Sequence, residues 1–292
     1  MTTLDSPVIP HPARPRLVIE PPSPWAAISL REIWTFRELL LNFALRDVKL
    51  RYRQTILGVV WVVLQPLLGA AIFAFVFGKV AKFQLPADAA GRRPPYLLFA
   101  MAGMMLWQVF AGTLTRSSNS MVGNAHLVSK VYFPRIVLPL STLSSALIDF
   151  CVTLLFLLVL ILFRWYLPGW NVLLLPVCLL LIGCLAMGIG LLATALAVSY
   201  RDVQFIIPVM TQLLLYLSPV AYSATTSVPA AYQDKYFLNP LAGLLEAYKW
   251  SVLSVGQVQW GYFAYSAVVC VAALVVGAYA FNWMERKFAD VV

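Results

Sequence analysis

The chain has 292 residues, 61% of them hydrophobic and 11% charged, with a formal net charge of +9. A water-soluble domain carries about 25% charged residues, so this chain lacks the polar side chains to cover a water-facing surface, and lipid is its solvent. Its cations sit beside apolar runs, which excludes nucleic acid as a partner and makes them anchors of helix ends.

The opening stretch, "MTTLDSPVIPHPARPRLVIEPPSPW", is proline-rich and has no apolar h-region. Residues 1–28 are expected to form a flexible tail. Residues 29–54 are expected to form an amphipathic helix at the cytosolic membrane surface. Ser29 and Glu32 fit a capping box, and Ile33, Phe36, Leu40 and Phe43 recur at helical spacing. Trp34 suits the headgroup level, and Arg31, Arg37, Arg46, Lys49, Arg51 and Arg53 supply a cationic side. A solvated helix that merely joins the tail to the first span is the competing reading.

After Arg53 no charge appears until Lys79. Within a transmembrane domain over 55–292, six apolar runs are long enough for membrane helices: about 56–80, 96–115, 136–163, 171–198, 204–222 and 262–284. Pro66, Pro139, Pro176, Pro208 and Pro219 fall within or near their ends. A helix bundle tolerates such prolines, because neighbouring helices satisfy the freed carbonyls. The runs are too long and do not alternate as barrel strands would. The expected fold is therefore an all-α integral membrane protein with six transmembrane helices. With a cytosolic N-terminus, the inward segments hold 14 Lys and Arg and the outward segments seven. That bias places both termini in the cytosol.

The outward segment 223–261 begins a further helix at Asn239-Pro240, an N-cap residue followed by proline at the first helical position. Leu241, Leu244, Leu245, Tyr248 and Val252 give it an apolar stripe, and Glu246 and Lys249 lie off it. It is too short and too charged to span. A re-entrant helix and a helix lying flat on the outer leaflet both remain open.

Chemical motifs are scarce. No phosphate-binding loop appears, since "FAFVFGKV" has Phe73 and Val80 where a glycine and a hydroxyl are required. "GIGLLA", residues 188–193, imitates a dinucleotide fingerprint, but inside an apolar helix its glycines suit close helix packing. Cys151, Cys178, Cys184 and Cys270 lie in apolar segments, and His11 and His126 are far apart, so no metal site is expected. Asp149 falls near the centre of the third span, where a charge costs about 2.5–3.5 kcal/mol. It is a functional candidate by position, read as structural and bonded to a hydroxyl or indole of another helix.

Two inward loops carry more promise. In "NAHLVSKVYFPRIVLP", residues 124–139, Val128, Val131, Tyr132 and Phe133 could face a partner protein, or merely line an ordinary turn. The other loop is "SYRDVQF", residues 199–205. Phe73, Phe75 and Phe77 in the first span and Tyr216 and Tyr222 at the end of the fifth could stack on sugar rings, or simply pack.

Three stretches resemble the polysaccharide-exporting branch of the ABC-2-type exporter permeases. "LRDVKLRYRQTILGVVWVVLQPLL" is similar to that branch's approach to the first membrane helix. "NAHLVSKVYFPRIVLPL" is similar to its coupling helix. "YLSPVAYS", then "VP", then "NPLAGLLEAYKW", is similar to its fifth helix and outer re-entrant segment. The resemblance covers about residues 30–290. It implies six membrane helices with an interfacial helix and an extracytoplasmic re-entrant segment, in a homodimer in the bacterial inner membrane. It also implies two copies of a separate ABC ATPase that carry ATP and Mg, so this chain is no enzyme and holds no cofactor.

Asn124, His126, Leu127, Val128, Lys130, Val131, Tyr132, Phe133 and Arg135 would then meet the ATPase, with Arg201 and Asp202 on the neighbouring loop. Arg46, Lys49, Arg51 and Arg53 would greet a lipid diphosphate headgroup by charge, with anchoring to membrane lipids as the alternative. Phe73, Phe77, Tyr216, Tyr222, Tyr236 and Phe237 would line a glycan channel or its outer gate. The long tail departs from the family pattern, as does Lys249, where many members carry arginine. Competing functions are an ABC-2 permease for a lipid or drug, a membrane enzyme acting on a lipid-linked sugar, and an ATP-independent scramblase.

Overall fold

The computed structural model describes residues 34–53, 58–88, 91–130, 133–163 and 169–285. The tail 1–28, the Ser29–Glu32 capping box, Val131 and Tyr132 lie outside the described residues. Among the described residues there is no strand, only an isolated bridge between Asp88 and Val255. The helices are α1 (Arg37–Tyr52), α2 (Val60–Phe73, continued as a π-helical segment Ala74–Val80), α3 (Tyr96–Ser120), α4 (Ala125–Lys130), α5 (Val137–Phe163) and α6 (Leu175–Ser199). They continue with α7 (Val203–Leu217), α8 (Ala224–Ser227), α9 (Ala230–Tyr236), α10 (Pro240–Leu253) and α11 (Trp260–Glu285).

Five helical stretches are long and apolar enough to cross a membrane: Val60–Val80, Tyr96–Ser120, Val137–Phe163, Trp170–Ser199 and Trp260–Glu285. The chain is a multi-pass membrane protein. The fifth expected span, 204–222, holds α7, which has 15 residues. That is about 22 Å of helix, less than the roughly 30 Å of a hydrocarbon core. It ends where Pro219 forces the preceding Ser218 into extended backbone, φ −111° and ψ 148°.

Three prolines occupy positions a helix tolerates. Pro95 is the N-cap of α3, Pro176 lies in the first turn of α6 and Pro240 opens α10. Pro66 lies inside α2 and cannot donate to the carbonyl of Val62, four residues back. Thr153 of α5 donates its hydroxyl to that carbonyl at 3.4 Å. That hydroxyl lies nearer the carbonyl of Asp149 on its own helix, at 3.0 Å, so its one proton satisfies the freed carbonyl only in part.

Two helices form the centre. α3 is the most buried of the spanning helices, and α6 packs between it and α11. Small residues allow this. Gly188 of α6 and Gly277 of α11 meet backbone to backbone: a Cβ on Gly277 would fall 1.9 Å from the Gly188 carbonyl oxygen. Two residues on, Gly190 faces Ser117 of α3. There the one hydroxyl proton of Thr194 is shared between the carbonyls of Ser117 and Gly190, each 2.7 Å from its oxygen. The "GIG" stretch is therefore a packing device with one glycine turned to each neighbour.

α10 is not a helix lying flat on the surface. Leu241, Leu244, Leu245, Tyr248, Val252 and Leu253 are all buried, and the helix packs on α11, α3 and α6. Asn239 caps it by accepting from the Leu241 amide at 3.0 Å. The Asn239 amide also donates to Ser218 at 3.0 Å, tying the start of α10 to the end of α7. At the opposite end of the bundle, Phe36, Leu39, Leu40 and Phe43 pack on a cluster that includes Phe133, Val137, Leu191 and Phe281. The apolar side of α1 thus rests on protein.

Candidate functional site

The expected channel residues converge. Phe73 and Phe77 stack, with ring centroids 5.6 Å apart. Phe73 meets Tyr216 edge-on at 6.5 Å, and Phe77 meets Tyr222 at 5.8 Å. The Tyr222 and Tyr236 hydroxyls lie 2.7 Å apart, and Tyr236 abuts Phe237. Sequence reasoning missed two members of this chain of rings. Phe83 stacks on Phe77 at 5.3 Å, and Tyr262 stacks on Phe237 at 4.3 Å. Both sit at the ends of apolar runs, where an aromatic looks like an interfacial anchor.

The rings differ in what they can do. Tyr216 is 59% exposed and Phe83 38%, so each offers a face to a ligand. Phe237 is 2% exposed among Ala224, Ala242 and Tyr262, so it packs. Burial first, and the Tyr222 hydrogen bond second, push the Tyr236 phenol above the ordinary tyrosine range. The Tyr222–Tyr236 contact is therefore a bond between neutral hydroxyls.

Beneath these rings sits a buried clasp. Lys249 of α10 is 1% exposed and spends its three protons on Glu246 at 2.9 Å and the carbonyls of Pro219 and Tyr222 at 2.8 and 2.7 Å. Its ammonium also lies 4.4 Å from the Phe99 ring centroid. Glu246 accepts from the Ala224 amide at 2.9 Å and the Ser223 hydroxyl at 3.0 Å. The pair therefore holds the loop after α7 in place by its backbone. Gly103 of α3 lets that loop approach, since a Cβ there would fall 1.8 Å from the Val220 oxygen. The apolar stripe of α10 was visible in sequence, but the burial of its off-stripe charges was not.

At the other end, Arg46 of α1 pairs with Asp47 at 3.0 Å and donates to Asn124 at 3.1 Å. Phe43 meets Phe133, and Arg135 donates to the Glu285 carbonyl at 3.2 Å. Asn124 ends a 3-10 turn that leads directly into α4, where Ala125, His126 and Lys130 are exposed and Leu127 is half-buried. Arg201 and Asp202 are exposed at the turn between α6 and α7. Arg53 is exposed after the last turn of α1, and Lys49 is exposed within it.

Asp149 meets two guanidiniums, which sequence reasoning did not foresee. Its Oδ2 meets Arg51 at 2.5 Å and Arg116 at 3.4 Å. Arg116 was missed because the second span was ended at residue 115, before the first charge. α3 continues to Ser120, and the helix carries the guanidinium inside the bundle. Arg51, expected to face a headgroup at the surface, turns inward to the same carboxylate.

A sequence profile of the ABC-2 type transporters matches residues 38–253. The chain belongs to that family. This permease is 27% identical over 259 residues to the O-antigen export system permease protein RfbA of Klebsiella pneumoniae, covering 87% of this chain and 95% of the relative. It is 28% identical over 221 residues to RfbA of Myxococcus xanthus, covering 75% and 82%. It is 24% identical over 248 residues to the polysialic acid transport protein KpsM of Escherichia coli, covering 83% and 92%. The matched region takes in α1, the coupling stretch, the aromatic chain up to Phe237, and the clasp.

Proposed function

We propose that this ABC-2 permease is the membrane subunit of an exporter that moves a lipid-linked polysaccharide of the O-antigen, capsular or teichoic-acid kind across the bacterial inner membrane. The observation that carries the reading is the aromatic chain from Phe73 to Tyr262, which has exposed members at Tyr216 and Phe83. Ring faces suit the C–H faces of sugars, and the relatives bear the names of O-antigen and polysialic acid carriers. Two copies pair to enclose the path, with both termini in the cytosol. ATP and Mg belong to two copies of a partner ATPase, and this chain is a transport subunit.

The handle for that partner is α4 with the residues around it, Asn124 to Arg135, beside Arg201 and Asp202. Ala125, His126 and Lys130 are exposed on it, and Arg46–Asn124 and Phe43–Phe133 join it to α1. A push on α4 therefore reaches α1 and the start of α5 together. Lys130→Glu reverses an exposed charge on the handle. Capture of the ATPase by the affinity-tagged permease is expected to fall at least about tenfold, as loss of roughly 1.4 kcal/mol implies, with membrane insertion unchanged. Capture at the wild-type level would remove α4 from the docking surface. Failure of the unaltered chain to capture any ATPase would overturn the exporter reading.

A further inference from the structure

We infer that the cleft between the loop after α2 and the short helix α8 is a subsite for the anionic groups of a charged glycan, with Lys82 and Arg93 as its cations. The inference rests on the export reading and narrows it, since that reading puts this end of the bundle outside and a sugar chain along the rings. The cleft has a volume of about 570 Å³, within the range of small-molecule sites.

Its charge is one-sided. Lys82 and Arg93 line it, both exposed, and among the described residues no carboxylate does. Asp88, the single acid of segment 79–95, is held by Arg92 at 3.0 Å and stands outside the lining. Arg93 spends one N–H on Gln84 Oε1 at 3.1 Å, and a guanidinium carries five. Ser227 adds a hydroxyl to the same wall. An ammonium, a guanidinium and a hydroxyl form a donor set for carboxylate or phosphate oxygens.

The cleft continues the aromatic chain. Phe83 lines it, stacks on Phe77 and meets Tyr222 edge-on at 6.3 Å. A sugar chain lying on that ring has the two cations beside it. The rings then take neutral C–H faces, and the cations take charged substituents. This continuity favours a glycan over a membrane phospholipid as the occupant. The walls are also braced. The Phe83 amide donates to the Phe77 carbonyl at 2.8 Å and the Gly256 amide to the Ala87 carbonyl at 3.1 Å. The Thr226 hydroxyl reaches the Gln84 carbonyl at 3.0 Å. Donors held in this way lose little freedom when a ligand arrives.

The test uses the full chain in phosphatidylcholine nanodiscs, which leave both faces open, and a fluorescent oligogalacturonate read by polarisation. Saturable binding is expected. Lys82→Asn and Arg93→Gln should each weaken it about fivefold, the upper range for an exposed ion pair. Asparagine suits position 82, where φ is 55°. The two losses should multiply, so a neutral maltooligosaccharide of equal length should bind wild type about twentyfold more weakly. The double variant should bind both oligomers alike. Lys235→Gln removes an exposed cation on α9, outside the cleft, and should bind as wild type does. A loss there equal to that at Lys82 would reduce the attraction to a diffuse positive field and overturn the site. Equal binding of acidic and neutral oligomers by wild type would overturn it too. If Lys82→Asn lowers the thermal midpoint, Arg93→Gln carries the test, and undiminished binding by that variant overturns the site.

Competitors distinguish the source of the anion. Displacement by both unlabelled oligogalacturonate and a glycerol phosphate oligomer supports a site for anionic glycans of either kind. Displacement by the uronate alone supports a carboxylate site. Binding of spin-labelled phosphatidylglycerol that depends on Lys82 and Arg93, with no binding of oligogalacturonate, would give the cations to a membrane lipid and end the proposal. No step involves the ATPase. Failure of the site beside successful ATPase capture leaves the export reading standing for a neutral glycan, and failure of ATPase capture overturns that reading whatever the oligomers do.

Discussion

Lys249→Met is expected to destabilise the end of the bundle that holds α10 by about 3–5 kcal/mol, the cost of removing one partner from a buried ion pair. The substitution keeps the length of the side chain and deletes the charge. Glu246, whose side chain is 14% exposed, then loses its cation. The Pro219 and Tyr222 carbonyls lose their donor in the same step. Thermal unfolding in detergent should show a large fall in the midpoint. Trypsin should cut earlier at Lys235, in α9 beside the released loop. Pairing the change with Glu246→Gln removes the stranded carboxylate and should recover much of the loss. If Lys249→Met unfolds at the wild-type temperature, the clasp does not hold this end together.

Gly277→Val is expected to break the α6–α11 contact. A Cβ at this position would fall 1.9 Å from the Gly188 carbonyl oxygen, and backbone cannot move aside as a flexible side chain can. Overpacking costs about 1–3 kcal/mol when neighbours can adjust, and here the two helices must separate along much of their length. The expected outcome is a sharp loss of monodisperse protein. Gly261→Val on the same helix is the control. Nothing lies within 4 Å of a Cβ there, so yield and stability should match wild type. Equal behaviour of the two variants would contradict the backbone contact between α6 and α11.

The long helices were legible because lipid imposes a simple rule: twenty apolar residues make a span. That rule draws α2, α3, α5, α6 and α11 to within a few residues at most of their ends. It fails in an instructive way at Arg116, where the first charge was taken as the end of a span although α3 continues to Ser120. A helix can carry a cation inward when a carboxylate on another helix receives it, and a single strand of text cannot show that Asp149 lies opposite. The same limit hid the clasp. Glu246 and Lys249 stand three apart and off the apolar stripe, the usual mark of a solvated face. They are buried because the loop after α7 folds over them, a contact between segments 27 and 30 residues apart. The "GIG" packing was readable, since glycines inside an apolar helix have few other uses. Six members of the aromatic chain were readable, but Phe83, Tyr262 and the order were not, since these depend on the π-helical end of α2 and the turn after Pro219.

The central claim is that this chain is a conduit driven by another subunit. Reconstitution into proteoliposomes with the cognate ATPase and a fluorescent lipid-linked glycan tests it most directly, with movement scored by loss of access to an added glycosidase. The account predicts transfer only when permease, ATPase and ATP are all present, and abolition by Lys130→Glu together with lost ATPase capture. Transfer at the same rate by the permease alone, without ATPase or ATP, would contradict it and identify the chain as a scramblase.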